Sequence, residues 1–223
     1  LGRPIAADRV AVHVGPRPHL SDAVIIREPM APPRDLAARY QHHLSATRAR
    51  LDHLLGAMLP SPRIDLRPSP LDDGFRSHAR FSVEVRDGRC SVSGTDPVQG
   101  TADWRSTVWI LPRTGQQLVE TIVAHVEATC GRFPARGLDL CLGQGTERAH
   151  LVVAVDRGER QSFRSWAEAL LEHDERLTGV SVPSQSLVVG EPLVRHRVCG
   201  VELRSHPLAF FQTNRHLADP LFA

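Results

Sequence analysis

Residues 138–155 read LDLCLGQGTERAHLVVAV. Leu138, Leu140 and Leu142 alternate with other side chains, residues 150–155 are almost continuously apolar, and the Gly-rich stretch 143–148 separates the two, so the segment predicts a β-hairpin. Upstream, Thr114-Gly-Gln-Gln117 has the form of a capping box, opening a helix whose Leu118, Ile122 and Val126 share a face and which Gly131 closes. Before it, 104–111 (WRSTVWIL) reads as a strand. Downstream, Phe163, Trp166, Leu170 and Leu171 recur at helical spacing, and strands follow at 180–182 and 186–189. The order β-α-β-β-α-β predicts an α+β fold: a mixed, mainly antiparallel sheet with helices on one face, including a split-βαβ (ferredoxin-like) unit.

Further from that centre, residues 10–14 and 23–27 read as short strands, and Pro32-Pro33 precedes a helix over 34–58 with Leu36, Tyr40, Leu44, Leu51, Leu54, Leu55 and Met58 as its core stripe. Residues 63–67 read as a strand, Asp72-Asp73-Gly74 as a turn, and Asp87-Gly88 as the hairpin turn joining 79–85 to 90–93. Residues 198–205 read as one extended strand running into Pro207.

The composition, 41% hydrophobic and 23% charged over 223 residues, is that of a folded protein. Every one of the 27 basic residues is Arg, and the net charge of +2 neither supports nor excludes a nucleic-acid partner. No run is long enough for a membrane helix and no signal peptide opens the chain, which predicts a cytoplasmic protein without membrane association. A monomer is also expected. Cys90, Cys130, Cys141 and Cys199 are far apart, so they read as buried free thiols and not as ligands of zinc or of an iron–sulfur cluster. The twelve histidines are dispersed and include no H-E-x-x-H, so no metal site is expected.

The chemistry-bearing stretch is 207–214, PLAFFQTN, in which Phe210 and Phe211 precede Gln212 and the only asparagine, Asn214. A carboxamide both donates and accepts hydrogen bonds, which suits a ligand junction; equally, Phe-Phe can plug a core and Asn can cap a helix. Arg76 and Arg80 have a similar pair of readings, either ion pairs with carboxylates or bidentate contacts to phosphate.

The extended stretch SHPLAFFQTN resembles the "s-p-x-F-F-Q-x-N" signature of the SAM-dependent RNA (uracil-5-)-methyltransferases, which make 5-methyluridine in tRNA and 23S rRNA. Residues 40–44 with the Arg-rich helix after them resemble that family's "Y-x-x-Q-L-x-x-K" helix. Residues 61–83 resemble its "S-P-x-x-x-G-Y-R-N-R-x-x-F-S-V" stretch, with Ser77-His78 in place of the asparagine. Residues 187–205 resemble the lead-in to the FFQxN motif. The resemblance implies a short N-terminal β segment (1–31), a central substrate-positioning domain (34–206) and a junction (207–223) leading into a SAM-binding domain. It implies RNA as partner, S-adenosyl-L-methionine as cofactor only with that further domain, Gln212 beside the cofactor, and Phe210, Arg76 and Arg80 toward substrate.

Many rRNA-modifying members carry a [4Fe–4S] cluster ahead of the Tyr-Gln-Leu helix; residues 27–40 here hold no Cys, so no cluster is expected. The family's "D-L-Y-C-G-x-G-x-F" turn has no match in the chain, and its nucleophilic Cys and Glu base lie in the same region. No catalytic residue is therefore expected among these 223 residues, and the chain reads as a piece of a longer enzyme, inactive alone. The alternative is a non-catalytic α+β scaffold or RNA-binding paralogue.

Overall fold

The computed structural model describes residues 10–13, 36–56, 64–67, 69–71, 74–87, 89–96, 100–129, 135–155, 160–209, 211 and 214–222. Its centre is a seven-stranded sheet. Strands β3 (His78–Arg86), β4 (Arg89–Asp96) and β5 (Gly100–Asp103) form an antiparallel meander, and β6 (Ala135–Leu142) adds to the free side of β3. The sheet continues through β7 (Ala149–Val155), β8 (Leu177–Val182) and β9 (Leu187–Gly190), with β7 and β8 the one parallel pair, giving the order β5-β4-β3-β6-β7-β8-β9. The fold is α+β with a mixed, mainly antiparallel sheet.

Strand alternation sends Ala79, Phe81 and Val83 of β3, Leu138 and Leu140 of β6, and Leu151 and Val153 of β7 to one face, all buried. Helices α3 (Arg113–Ala128) and α4 (Arg160–His173) cover that face with Leu118, Val119, Ile122, Val123 and Val126 from one and Phe163, Trp166, Ala167 and Leu170 from the other. Each large side chain so buried contributes about 1.5–3 kcal/mol. The Trp166 indole N–H donates to Thr129 Oγ1 at 3.0 Å, locking the two helices together. Since β4 and β6 both run antiparallel to β3, they are parallel to each other, and the chain crosses from one to the other through β5 and α3 with β3 between them, a split βαβ arrangement with an added edge strand. The second crossover, through α4, joins neighbouring strands β7 and β8.

Several local expectations change. Residues 104–111 are not a strand but a helical turn, α2 (Trp104–Thr107), continued by a 3₁₀ turn at Val108–Ile110. The Asp103 carboxylate accepts the Arg105 backbone N–H at 2.9 Å and so starts a helix, and Gly94 of β4 leaves the room: a Cβ there would lie 2.1 Å from Thr107 Oγ1. Helix α3 begins at Arg113 with Pro112 before it and no side-chain cap, so Thr114 sits inside the helix and the expected capping box is not formed. Residues 198–205 are not one strand: β10 (Val194–Val198) turns back into β11 (Val201–Ser205) through Cys199 and Gly200, both left-handed at φ 49° and 77°.

Helix α1 (Leu36–Gly56) buries Tyr40 and Leu44, whereas Leu54 is 46% exposed, so the leucine stripe is core only in its first half. β1 (Val10–His13) pairs in parallel with β2 (Ile64–Arg67). The expected strand at 23–27, Met58, Cys130 and Gly131 lie outside the described residues. Of the remaining cysteines, Cys141 is buried and Cys90 half-buried, but Cys199 is exposed at the hairpin turn.

Candidate functional site

The face of the sheet opposite the helices carries the polar alternates of the same strands. Across β3 and β6 the register places His78 beside Cys141 and Arg80 beside Asp139. These four side chains floor a cleft of about 290 Å³, walled by Val194, His196 and Ser205 of the β10–β11 hairpin and closed by residues 206–209 and Phe211. Residues 207–209 and Phe211 of the stretch singled out for chemistry thus lie against the open face of the sheet.

Arg80 is engaged by a carboxylate: its Nε and Nη2 donate to Asp139 Oδ1 and Oδ2 at 2.6 and 3.1 Å. His78 Nε2 is 4.0 Å from the same Asp139. Burial holds the His78 imidazole below its ordinary range, against the pull of Asp139, and the Arg80 and Arg76 charges lower it further. The Cys141 Sγ donates to the Pro207 carbonyl at 3.2 Å, and burial pushes the thiol up to about 12. It is a protonated strut that pins the closing segment, not a nucleophile.

His196 is the centre of the wall. Its Nδ1 accepts the Gln144 backbone N–H at 3.2 Å, so Nε2 carries the proton and donates to Ser205 Oγ at 2.8 Å. Burial keeps the ring neutral, with its value lowered to about 4. Phe211 stacks on it, centroids 3.8 Å apart and planes 17° from parallel. With both nitrogens engaged, His196 serves as a plate and not as a base. Gln144, 2% exposed, completes the support by donating to Ser77 Oγ at 3.3 Å and accepting the Arg197 N–H at 2.6 Å.

Beyond Phe211 the chain enters a second cluster. Asn214 is fully buried, pairs with Arg76 in an isolated antiparallel bridge, and accepts through Oδ1 from Ser69 Oγ at 3.4 Å and from the His216 N–H at 3.0 Å. The next residue, Arg215, donates its N–H to the Phe75 carbonyl at 2.8 Å. Phe75, also fully buried, lies between Tyr40 and Trp109, with centroids 5.5 and 5.9 Å away, and the Tyr40 hydroxyl accepts the Ser69 N–H. Tyr40, Phe75, Arg76 and Asn214, from three separate stretches of sequence, therefore meet in one place.

Of the residues singled out from the sequence, Arg80 lines the cleft, while Arg76 is 7% exposed and belongs to the second cluster. Phe210 and Gln212 lie outside the described residues. His196, Gln144, Ser205 and Asp139 were not anticipated. Strand alternation could have placed Asp139 on the open face, but nothing local marks His196 before the hairpin folds it over. Among the described residues, no three His, Cys, Asp or Glu side chains cluster to hold a metal, and no helix is long and apolar enough to cross a membrane.

No protein-family description matches the chain. No curated protein matches it either. Among solved structures, the chain is similar to the crystal structure of Pyrococcus abyssi tRNA (uracil-54, C5)-methyltransferase in complex with S-adenosyl-L-homocysteine, with a TM-score of 0.54 and 19% identity over 82% of this chain. The match covers 46% of that chain, so the chain shares its fold with about half of a methyltransferase structure.

Proposed function

We propose that this chain is the central, RNA-positioning part of an RNA (uracil-5-)-methyltransferase, which transfers a methyl group from S-adenosyl-L-methionine to C5 of a uridine in tRNA or rRNA. The SAM-binding and catalytic domain would be supplied by sequence outside these 223 residues. The observation that carries this reading is the meeting of Tyr40, Phe75, Arg76 and Asn214. These residues come from three separate stretches that resemble the family, and a chance resemblance gives them no reason to pack together. The fold shared with a methyltransferase structure adds support.

The described residues do not by themselves fit the cofactor. A SAM site needs an acidic side chain for the ribose hydroxyls and a Gly-rich turn at a strand's carboxyl end. The carboxylate in the cleft, Asp139, already has both oxygens on Arg80. No chemical step is therefore assigned to these residues. Gln212 is the residue proposed to face cofactor and uracil at the junction, with Phe210 beside the substrate. Its neighbours Phe211 and Asn214 are held by His196 and Arg76 respectively.

Reading the coding sequence past residue 223 tests this directly. An open frame continuing into a D-x-x-C-G-x-G turn agrees with the proposal, whereas an immediate stop codon favours a non-catalytic scaffold.

A further inference from the structure

Most arginines in the structure are occupied. Arg80, Arg176 and Arg195 each chelate a carboxylate, and Arg48, Arg86, Arg105, Arg164 and Arg204 lie within ion-pair distance of one. Arg160 donates to a backbone carbonyl. Among the described residues, Arg89, Arg113, Arg148, Arg197 and Arg215 have neither a side-chain hydrogen bond nor an ion pair. All of these except Arg89 line two clefts, of about 560 and 570 Å³, which adjoin at Thr146 and Glu147 of the loop between β6 and β7.

The loop is built to bring these charges together. A Cβ on Gly143 would lie 2.1 Å from the Arg195 carbonyl, and one on Gly145, at φ 62°, would lie 2.5 Å from that of Arg197. Two glycines thus let the loop press against β10, and the Arg197 N–H to Gln144 carbonyl bond fixes it there. Arg148 is consequently held beside Arg197 on one side, while Arg113 at the start of α3 and Arg215 line the other cleft. Arg215 is half-buried, and burial lowers its guanidinium below the ordinary range, with Glu147 acting in the opposite sense. A desolvated cation without a chelating partner is costly, and an anion in the cleft offsets that cost. Of the carboxylates in the two clefts, Glu191 and Glu202 are already matched by Arg195 and Arg204, leaving Glu147 and Glu175 against the arginines.

We propose that these adjoining clefts form an anion track holding the phosphodiester backbone of RNA, with Arg113, Arg148, Arg197 and Arg215 as its contacts. This rests on the RNA reading above and moves the phosphate contacts away from Arg76 and Arg80, which are respectively buried and paired. Guanidinium groups spread along a groove suit a chain of evenly spaced phosphates.

Fluorescence anisotropy of a labelled, single-stranded, uridine-containing RNA oligonucleotide against the 223-residue chain, over a range of salt, tests it. The double variants R113Q/R215Q and R148Q/R197Q should each reduce the slope of log affinity against log salt by about 1.4, from about 0.7 per lost contact on a single strand. R89Q should leave it unchanged, and E147Q should tighten binding, an effect that a purely structural role for the loop would not produce. Wild-type affinity and slope in both double variants would overturn the track while leaving the RNA reading intact, and loss confined to one double variant would overturn its continuity. Absence of any RNA binding by the wild-type chain at low salt would remove the RNA reading and the track with it.

Discussion

Asn214 faces Arg76 across an isolated backbone bridge, and this pairing ties the C-terminal segment to the residues that lead into the first long strand of the sheet. The Asn214 carboxamide oxygen also serves two donors, Ser69 Oγ and the His216 N–H, at a site with no solvent exposure. Asn214→Ala strands both and should cost about 1–3 kcal/mol. In a domain of this size that corresponds to roughly 2–4 °C in Tm per kcal/mol. Phe75→Ala, which empties the space between Tyr40 and Trp109, should cost about 3–5 kcal/mol. Calorimetry showing an unchanged Tm for either variant would contradict the anchoring role.

Stability should fall on mild acidification. His150 and His196 are kept neutral by burial, each lowered to about 4 from an ordinary 6.5. Between those values the unfolded chain binds protons that the folded chain refuses. Their contribution is therefore complete above about pH 6.5 and is lost progressively as pH falls toward 4. Tm measured across that window should decline, and His150→Gln or His196→Gln should flatten the profile. A flat wild-type profile would show that these rings stay solvated.

Burial is the largest cause of the lowered His78 value, and Asp139 and Arg80 adjust it in opposite directions. Removing the guanidinium with Arg80→Ala takes away a charge that lowers His78 and frees Asp139, which raises it, so the imidazole should titrate at higher pH. Asp139→Asn should move it the other way. Histidine NMR titration reads both shifts. Since Arg80 is well exposed, its loss should cost under about 1 kcal/mol.

How much of this could be read from the chain depends on how local the cause was. Alternation at 138–142 and the helical spacing of Phe163, Trp166 and Leu170 identified the hairpin and α4, because each buries a face whose period is written in consecutive residues. Residues 104–111 were misread because eight mixed residues fit a strand as well as a turn of helix, and the deciding cap was Asp103, one residue earlier. The break at Cys199-Gly200 was missed because the first of its two left-handed residues is Cys and not the usual Asn or Asp. The cleft itself depends on register and on the hairpin folding over the sheet, so the Arg80–Asp139 pair and the His196–Phe211 stack have no signature in sequence spacing.

Gln212 separates the chemical role from the structural one. Under the proposed function, in a protein extended to include the SAM-binding domain that this proposal requires, Gln212→Ala should abolish or greatly slow methyl transfer while leaving Tm almost unchanged. Phe211→Ala loses the stack on His196 and should lower Tm, the ring pair alone accounting for about 0.5–1.5 kcal/mol beyond its burial. If Gln212→Ala instead unfolds the protein and spares activity in what remains folded, its role is to fill the junction.

The most direct test of the central claim is nucleoside mass spectrometry of tRNA and rRNA from source cells in which the gene for this protein has been deleted and then restored. With the proposed function, 5-methyluridine disappears from a defined RNA position on deletion, returns with the wild-type gene, and does not return with the Gln212→Ala gene. An unchanged 5-methyluridine content in the deletion strain would contradict it.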